Sequence, residues 1–233
     1  LFEARYAKQA AINAKEYFAK VTKPVEQIRY TADQLYQYLE RTEGFVIDDH
    51  NRAIVKLLCL YFSEDPEFEK DGRKLSKGIL LFGGVGVGKT HLLTLFRNNQ
   101  KQSYQVVTCQ DVEGLYAKNG PDTHPQTGAP GLRKFFGFVP LQGTNMYGQE
   151  GLGYLFDDLG QEITNTKYFG TERNVMHEVL TQRYKNNLHT ATHLTTNLSG
   201  EQIKNLYGER VADRMVEMFN IISFNENAPS RRK

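Results

Sequence analysis

Residues 78–96 read GILLFGGVGVGKTHLLTLF. The apolar run Ile79–Phe82 is short and ends at paired glycines, which predicts a buried strand rather than a helix. Gly83, Gly84, Val85, Gly86, Val87, Gly88, Lys89 and Thr90 then fit G-x-x-x-x-G-K-[ST] without a mismatch. After His91, the residues Leu92, Leu93, Leu95 and Phe96 continue at helical spacing. Strand, glycine loop and helix together form the context in which this pattern carries meaning. The glycines let the backbone wrap a polyphosphate and aim N–H groups at it, with a helix N-terminus behind them. Lys89 would reach the β- and γ-phosphates and the Thr90 hydroxyl would ligate Mg²⁺. Average residue usage gives such a pattern by chance in roughly one chain of this length per hundred. The flanking strand and helix make chance a poor explanation. The run Gly83–His91 therefore predicts a nucleoside triphosphate site with Mg²⁺.

The bulk numbers set the frame around this motif. With 233 residues, 39% hydrophobic and 24% charged, the chain is long enough for one α/β domain with a substantial core and some extra segments. A net charge of +2 neither advertises nor excludes nucleic-acid binding, so any such surface would be a local patch. The two cysteines, Cys59 and Cys109, lie in apolar or strand-like contexts without metal-ligand spacing, which predicts buried free thiols in a reducing cytosol. No apolar run approaches 18 residues and no secretory signal pattern is visible. A cytoplasmic chain with no membrane contact is the expectation.

Before the glycine loop the sequence is helical. Residues 3–20 are rich in alanine and lysine, and Thr31 is a good N-cap for a second helix that stops near Gly44. Asp48 and Asp49 precede a third helix, NRAIVKLLCLYF, and SEDPEFEKDGRK reads as a loop. After it, YQVVTC (104–109) predicts a strand and DVEGLYAK a short helix. Residues 119–151 are rich in glycine and proline, a length that suggests a functional insertion or a mobile loop. Within them Arg133-Lys134-Phe135-Phe136 sets a basic pair beside two aromatics. That mixture suits single-stranded nucleic acid, and it equally suits an amphipathic turn with core phenylalanines.

Gly153–Asp158 (GYLFDD) predicts a second buried strand ending in two carboxylates. Ligands of a parallel sheet sit beyond the carboxyl ends of its strands, so Asp157 and Asp158 should face the glycine loop. The first would bind Mg²⁺, directly or through water, and the second would polarise an attacking water. A helix from Thr171 to about Asn187 should follow, with Met176 in the core and His177 and His189 as ordinary side chains. The strand THLTTN places Asn197 at the same rim. The helices SGEQIKNLYG and GERVADRMVEMF lead to a last strand, and the tail NAPSRRK is expected to fray with its cations in solvent.

GGVGVGKT, LFDDLG, THLTTNLS and YGERVADRM occur in this order and spacing. In these motifs the chain resembles the AAA+ ATPases, and more narrowly the DnaC/DnaI-type helicase loaders and the IstB-type transposition ATPases. The resemblance covers roughly residues 45–226. It implies a P-loop NTPase fold, α/β with a parallel sheet flanked by helices, an AAA+ core without the C-terminal helical lid. The expected division is a helical N-terminal segment at 1–44, the core at 45–226 and a flexible basic tail at 227–233. By the same resemblance Asn197 orients water against the γ-phosphate. Arg214, with Arg210 as runner-up, is the arginine finger that reaches a neighbouring subunit's site in a homo-oligomer. The catalytic set is then Lys89, Asp158, Asn197 and Arg214, and the metal set Thr90 and Asp157.

The function implied is ATP hydrolysis coupled to self-assembly, with a replicative helicase as client and single-stranded DNA as its destination. Lys118, Arg133, Lys134 and Lys167 are candidate DNA contacts. A transposase recruited onto duplex DNA is the alternative within the group. A small-molecule kinase is a further reading, but Asp157, Asp158 and Asn197 suit water activation better than an acceptor pocket. A non-hydrolysing ATP switch conflicts with the two intact acids.

Overall fold

The computed structural model of the chain describes residues 28–117, 129–168 and 171–232. The expected helix at 3–20 and Lys118 lie outside the described residues.

Helix α1 (Ala32–Glu40) begins where the sequence places it. Thr31 accepts the Gln34 N–H and Gln34 reaches back to the Thr31 N–H, a reciprocal cap that satisfies two end donors. Helix α2 (Arg52–Phe62) packs Ile54, Val55, Leu58, Cys59 and Phe62 inward. The acidic loop after it contains a 3-10 turn, Pro66–Glu69, that buries Phe68 completely.

The strands are β1 (Gly78–Phe82), β2 (Tyr104–Thr108), β3 (Val139–Pro140), β4 (Gly151–Leu159), β5 (Thr166–Tyr168), β6 (Thr171–Arg173), β7 (Thr192–Thr196) and β8 (Phe219–Ser223). Five of them form a parallel sheet in the order β2-β4-β7-β1-β8, and β3 adds antiparallel to the start of β4. Side chains alternate across the sheet as strand geometry requires. Ile79, Leu81 and Leu155 join one core with α1, α2 and helix α3 (Lys89–Leu95). Leu80, Tyr154, Phe156 and Leu194 join the other. That second face is covered by α4 (Cys109–Ala117), α5 (Val175–Lys185), α6 (Gly200–Tyr207) and α7 (Glu209–Met218). The result is three layers, helix on sheet on helix.

One element differs from the sequence expectation. The helix expected from Thr171 begins at Val175, because Thr171–Arg173 pairs antiparallel with Thr166–Tyr168. Asn174 then accepts the His177 N–H and opens the helix, a local bond that suits asparagine better at a cap than inside a turn. Both cysteines are buried and free, and burial raises both thiol pKa values, Cys59 to about 12.

Candidate nucleotide site

All five parallel strands end on the same rim, so the loops leaving them converge there. The loop after β1 holds Gly86 at φ +83° and Gly88 at φ +97°, backbone that L side chains rarely adopt. Lys89 opens α3 yet is only 5% exposed. Its Nζ donates to the carbonyls of Gly83 (2.9 Å) and Gly84 (2.8 Å) and to Asn197 Oδ1, so its three protons have three acceptors. Burial lowers the Lys89 pKa against the opposing pull of Asp158 and Asp157, and the nearby Arg232 charge lowers it further.

Asp157, 6% exposed, sits behind the loop. Its Oδ1 accepts the hydroxyls of Thr90 (2.8 Å) and Thr195 (2.6 Å). The two residues expected at a Mg²⁺ ion are therefore already within one hydrogen bond of each other. Asp158 follows at φ +55°, where the β4–β7 register shifts between Phe156 and Leu159. Its N–H donates to Thr195 Oγ1 at 2.9 Å. Aspartate tolerates this left-handed backbone better than most residues. Burial and the neighbouring Asp157 raise the Asp158 carboxyl pKa, with Lys89 and Arg232 opposing.

Residues Val85 to Leu92, Asp158 and Asn197 line one cavity of about 450 Å³. Gly44, Phe45, Val46 and Asn51 form its other wall, which the sequence did not mark. That wall is folded into shape by Asn51, whose Nδ2 donates to the Val46 carbonyl while its Oδ1 accepts the Asp48 N–H, both at 2.9 Å. Phe45 lies 5.7 Å from the His91 ring, tilted 46°. The run Phe45-Val46-Ile47 is visible in the sequence, but nothing there says that it folds back over the loop.

The tail is the clearest correction. It was expected to fray, yet the Arg231 N–H donates to the Gly86 carbonyl at 2.9 Å. The Arg231 guanidinium meets both oxygens of Asp48, at 2.9 and 2.7 Å, and Arg232 lines the cavity. The physical reason is topological. β8 runs parallel to β1, so the chain leaving β8 emerges beside the glycine loop.

The remaining candidates lie elsewhere. Arg214 is half-buried against α5, 5.0 Å over the Tyr184 ring and 3.3 Å from Thr181 Oγ1. Arg210 is exposed, and no hydrogen bond or ion pair holds it among the described residues. In the RKFF turn, Arg133 and Lys134 are exposed but Phe135 is 2% exposed and packs edge-on against Tyr154 and Phe156. Phe135 is thus core and offers no face to a base. Lys167 is in β5. Met176 is buried as expected, and His177 is exposed. Among the described residues no group of three or more His, Cys, Asp or Glu side chains could hold a metal, and no helix is long and apolar enough to cross a membrane.

A parallel sheet, a glycine loop between β1 and α3, and two acids at the end of β4 meet on one rim. This is a P-loop NTPase fold. No protein-family model matches the chain, and no curated protein matches it. Among solved structures, it is similar to the crystal structure of the DnaC helicase loader, at 20% identity and TM-score 0.47 over 78% of this chain and 95% of that one. It is also similar to the replication initiator DnaA bound to AMPPCP and single-stranded DNA, at 16% identity and TM-score 0.49 over 81% of this chain. AMPPCP-bound DnaA from Aquifex aeolicus matches at 16% identity and TM-score 0.47 over 85% of this chain. The chain spans about half the length of these two DnaA structures.

Proposed function

We propose that the chain binds ATP with Mg²⁺ and hydrolyses it at subunit boundaries of a homo-oligomer. The observation that supports this most is the meeting of Lys89, Thr90, Asp157, Asp158 and Asn197 on one rim. The residues fit the ligand. Lys89 would exchange its Asn197 and carbonyl acceptors for phosphate oxygens. Thr90 and Asp157 would trade their mutual hydrogen bond for a shared cation, which when bound neutralises phosphate charge. Asp158, with its raised pKa, would hold and polarise the attacking water, and the released Asn197 amide would orient it.

A neighbouring subunit would complete the site with an arginine, Arg214 or the more exposed Arg210. Such a finger is worth about 10³–10⁵ in rate. Turnover per subunit should then rise with protein concentration. Subunits carrying Arg210→Ala or Arg214→Ala, inactive alone, should regain turnover when mixed with Lys89→Ala subunits, which keep the finger. Turnover that is strictly linear in protein, with no rescue on mixing, would overturn the shared site.

The client we propose is a replicative helicase, to be placed on single-stranded DNA; this rests on the motif resemblance. Asp158→Asn with ATP, used as bait in lysate of the source organism, should capture the helicase, and Lys89→Ala should not. Capture of a transposase instead would move the chain to the transposition reading with the same ATP chemistry.

A further inference from the structure

The segment after β8 is fastened to the phosphate loop at several independent points. Phe224, 4% exposed, donates its N–H to the Phe82 carbonyl at 2.9 Å and packs at the start of the glycine loop. Ala228 packs against the same core as α2 and α3. Ser230 Oγ lies 2.3 Å from where a side chain on Gly86 would begin, and Arg231 Cδ lies 3.3 Å from the same point on Gly88. These two glycines therefore make room for the segment as well as for a phosphate. In the Arg231–Asp48 pair one guanidinium nitrogen, Nη2, reaches both carboxylate oxygens, a charge-assisted contact. Burial acts to raise the Asp48 carboxyl pKa, but the Arg231 bond and charge and two backbone N–H donors lower it overall. Asp48 also accepts the His50 and Asn51 N–H groups, and Asn51 in turn holds the Val46 carbonyl of the outer wall. One ion pair thus ties the segment, the outer wall and the phosphate loop together.

Arg232 is left over. It lines the same cavity as Lys89 and Asp158, its Cγ lies 3.5 Å from where a side chain on Gly86 would begin, and its charge acts on both residues. No hydrogen bond or ion pair holds its guanidinium among the described residues. Since Asp48 already neutralises Arg231, Arg232 is an unspent cation in the cavity that Lys89 also lines. We infer that residues 224–232 are an arm of the nucleotide site: the Arg231–Asp48 pair locks the arm onto the glycine loop, and Arg232 supplies a second cation, beside Lys89, to the terminal phosphate of a nucleoside triphosphate.

This rests on the nucleotide-binding reading and adds a specific demand to it. An arginine on the terminal phosphate distinguishes a triphosphate from a diphosphate, whereas a merely structural arm does not. The test is a titration of the whole chain with fluorescent ATP and ADP analogues in Mg²⁺. A hydrogen bond to a charged group is worth about 1.5–3 kcal/mol, so Arg232→Ala should weaken ATP about 10- to 100-fold. ADP affinity should stay within about twofold, and Arg232→Lys should recover part of the loss as a point charge without the fork. Asp48→Asn, which releases Arg231, should reproduce the drop in the ATP/ADP ratio. An unchanged ratio in Arg232→Ala overturns the inference while leaving nucleotide binding intact. Tighter ATP binding by Arg232→Ala also overturns it and makes the arm an occluding strap. If the unmodified chain binds neither nucleotide in a Lys89-dependent way, the nucleotide-binding reading itself fails, and the arm fails with it.

Discussion

Strand β7, THLTT followed by Asn197, carries polar side chains at both ends, and the two ends use them in opposite ways. At the amino end, Thr192 and His193 are sealed. Arg183 is fully buried there and donates to Thr192 Oγ1 (2.8 Å) and to the carbonyls of Phe135 (2.8 Å), Gly137 (2.8 Å) and Ala191 (2.6 Å). Its guanidinium also lies over the Tyr154 and Phe156 rings. His193 Nδ1 accepts the Ile79 N–H at 3.1 Å among Tyr61, Phe62 and Tyr104. At the carboxyl end, Thr195 and Asn197 bond to Asp157, Asp158 and Lys89. The partners of the amino end are mostly backbone and permanent. Those of the carboxyl end, the Asp158 N–H apart, are side chains that a phosphate and a cation would replace under the proposed function. A buried polar group is structural or functional according to whether its partner can be exchanged.

This contrast breaks if changes at the carboxyl end harm folding more than turnover. Asp158→Asn should lower ATP turnover by about 10²–10⁴, the usual worth of a positioned base. ATP affinity should stay within a few-fold and the melting temperature should not fall, since a like charge beside Asp157 has been removed. An equal loss of affinity and turnover would make Asp158 a nucleotide ligand instead.

The amino end should behave in reverse. Among the described residues Arg183 has no carboxylate partner, and burial brings its pKa down to about 10. Arg183→Met leaves the acceptors of the 135–137 loop unpaired and should cost about 3–5 kcal/mol in urea unfolding. Nucleotide affinity of the folded protein should not change. A Met variant as stable as the parent would show that packing, not the guanidinium, closes that loop.

His193 offers the smaller and sharper test. Burial holds its pKa at about 3, with the Lys101 and Arg183 charges pushing the same way. The unfolded chain takes up the proton first as pH falls, so this contribution is intact above about pH 6.5 and is lost between about 6.5 and 3. The slope over that window should be about 1.4 kcal/mol per pH unit. His193→Gln, which keeps an acceptor for the Ile79 N–H, should remove that slope and no more. An unchanged pH profile would mean that His193 is charged in the folded state.

The parts of the site that were legible in the sequence share one property: their signal is local. A glycine loop between strand and helix, or two acids at a strand end, can be read because chain neighbours set both the backbone and the direction of the side chain. RKFF was ambiguous for the complementary reason. Its composition suits a nucleic-acid surface, and only packing against Tyr154 and Phe156 assigns Phe135 to the core. The strand Thr171–Arg173 was read as helix because a three-residue hairpin strand has too few positions to establish a period.

By itself, then, the sequence determined the strand–loop–helix at 78–96, the acids at 157 and 158, the polar residue at 197 and the parallel sheet that gathers them. Short-range sterics and strand alternation carry all of these. Only the tertiary structure decided that Phe45 and Asn51 wall the cavity, that Arg183 closes the opposite end, and that Arg231 and Arg232 lie on the glycine loop. Asp48 and Arg231 are 183 residues apart. Their pairing follows from β8 lying beside β1, a consequence of sheet order that no local pattern in the chain encodes.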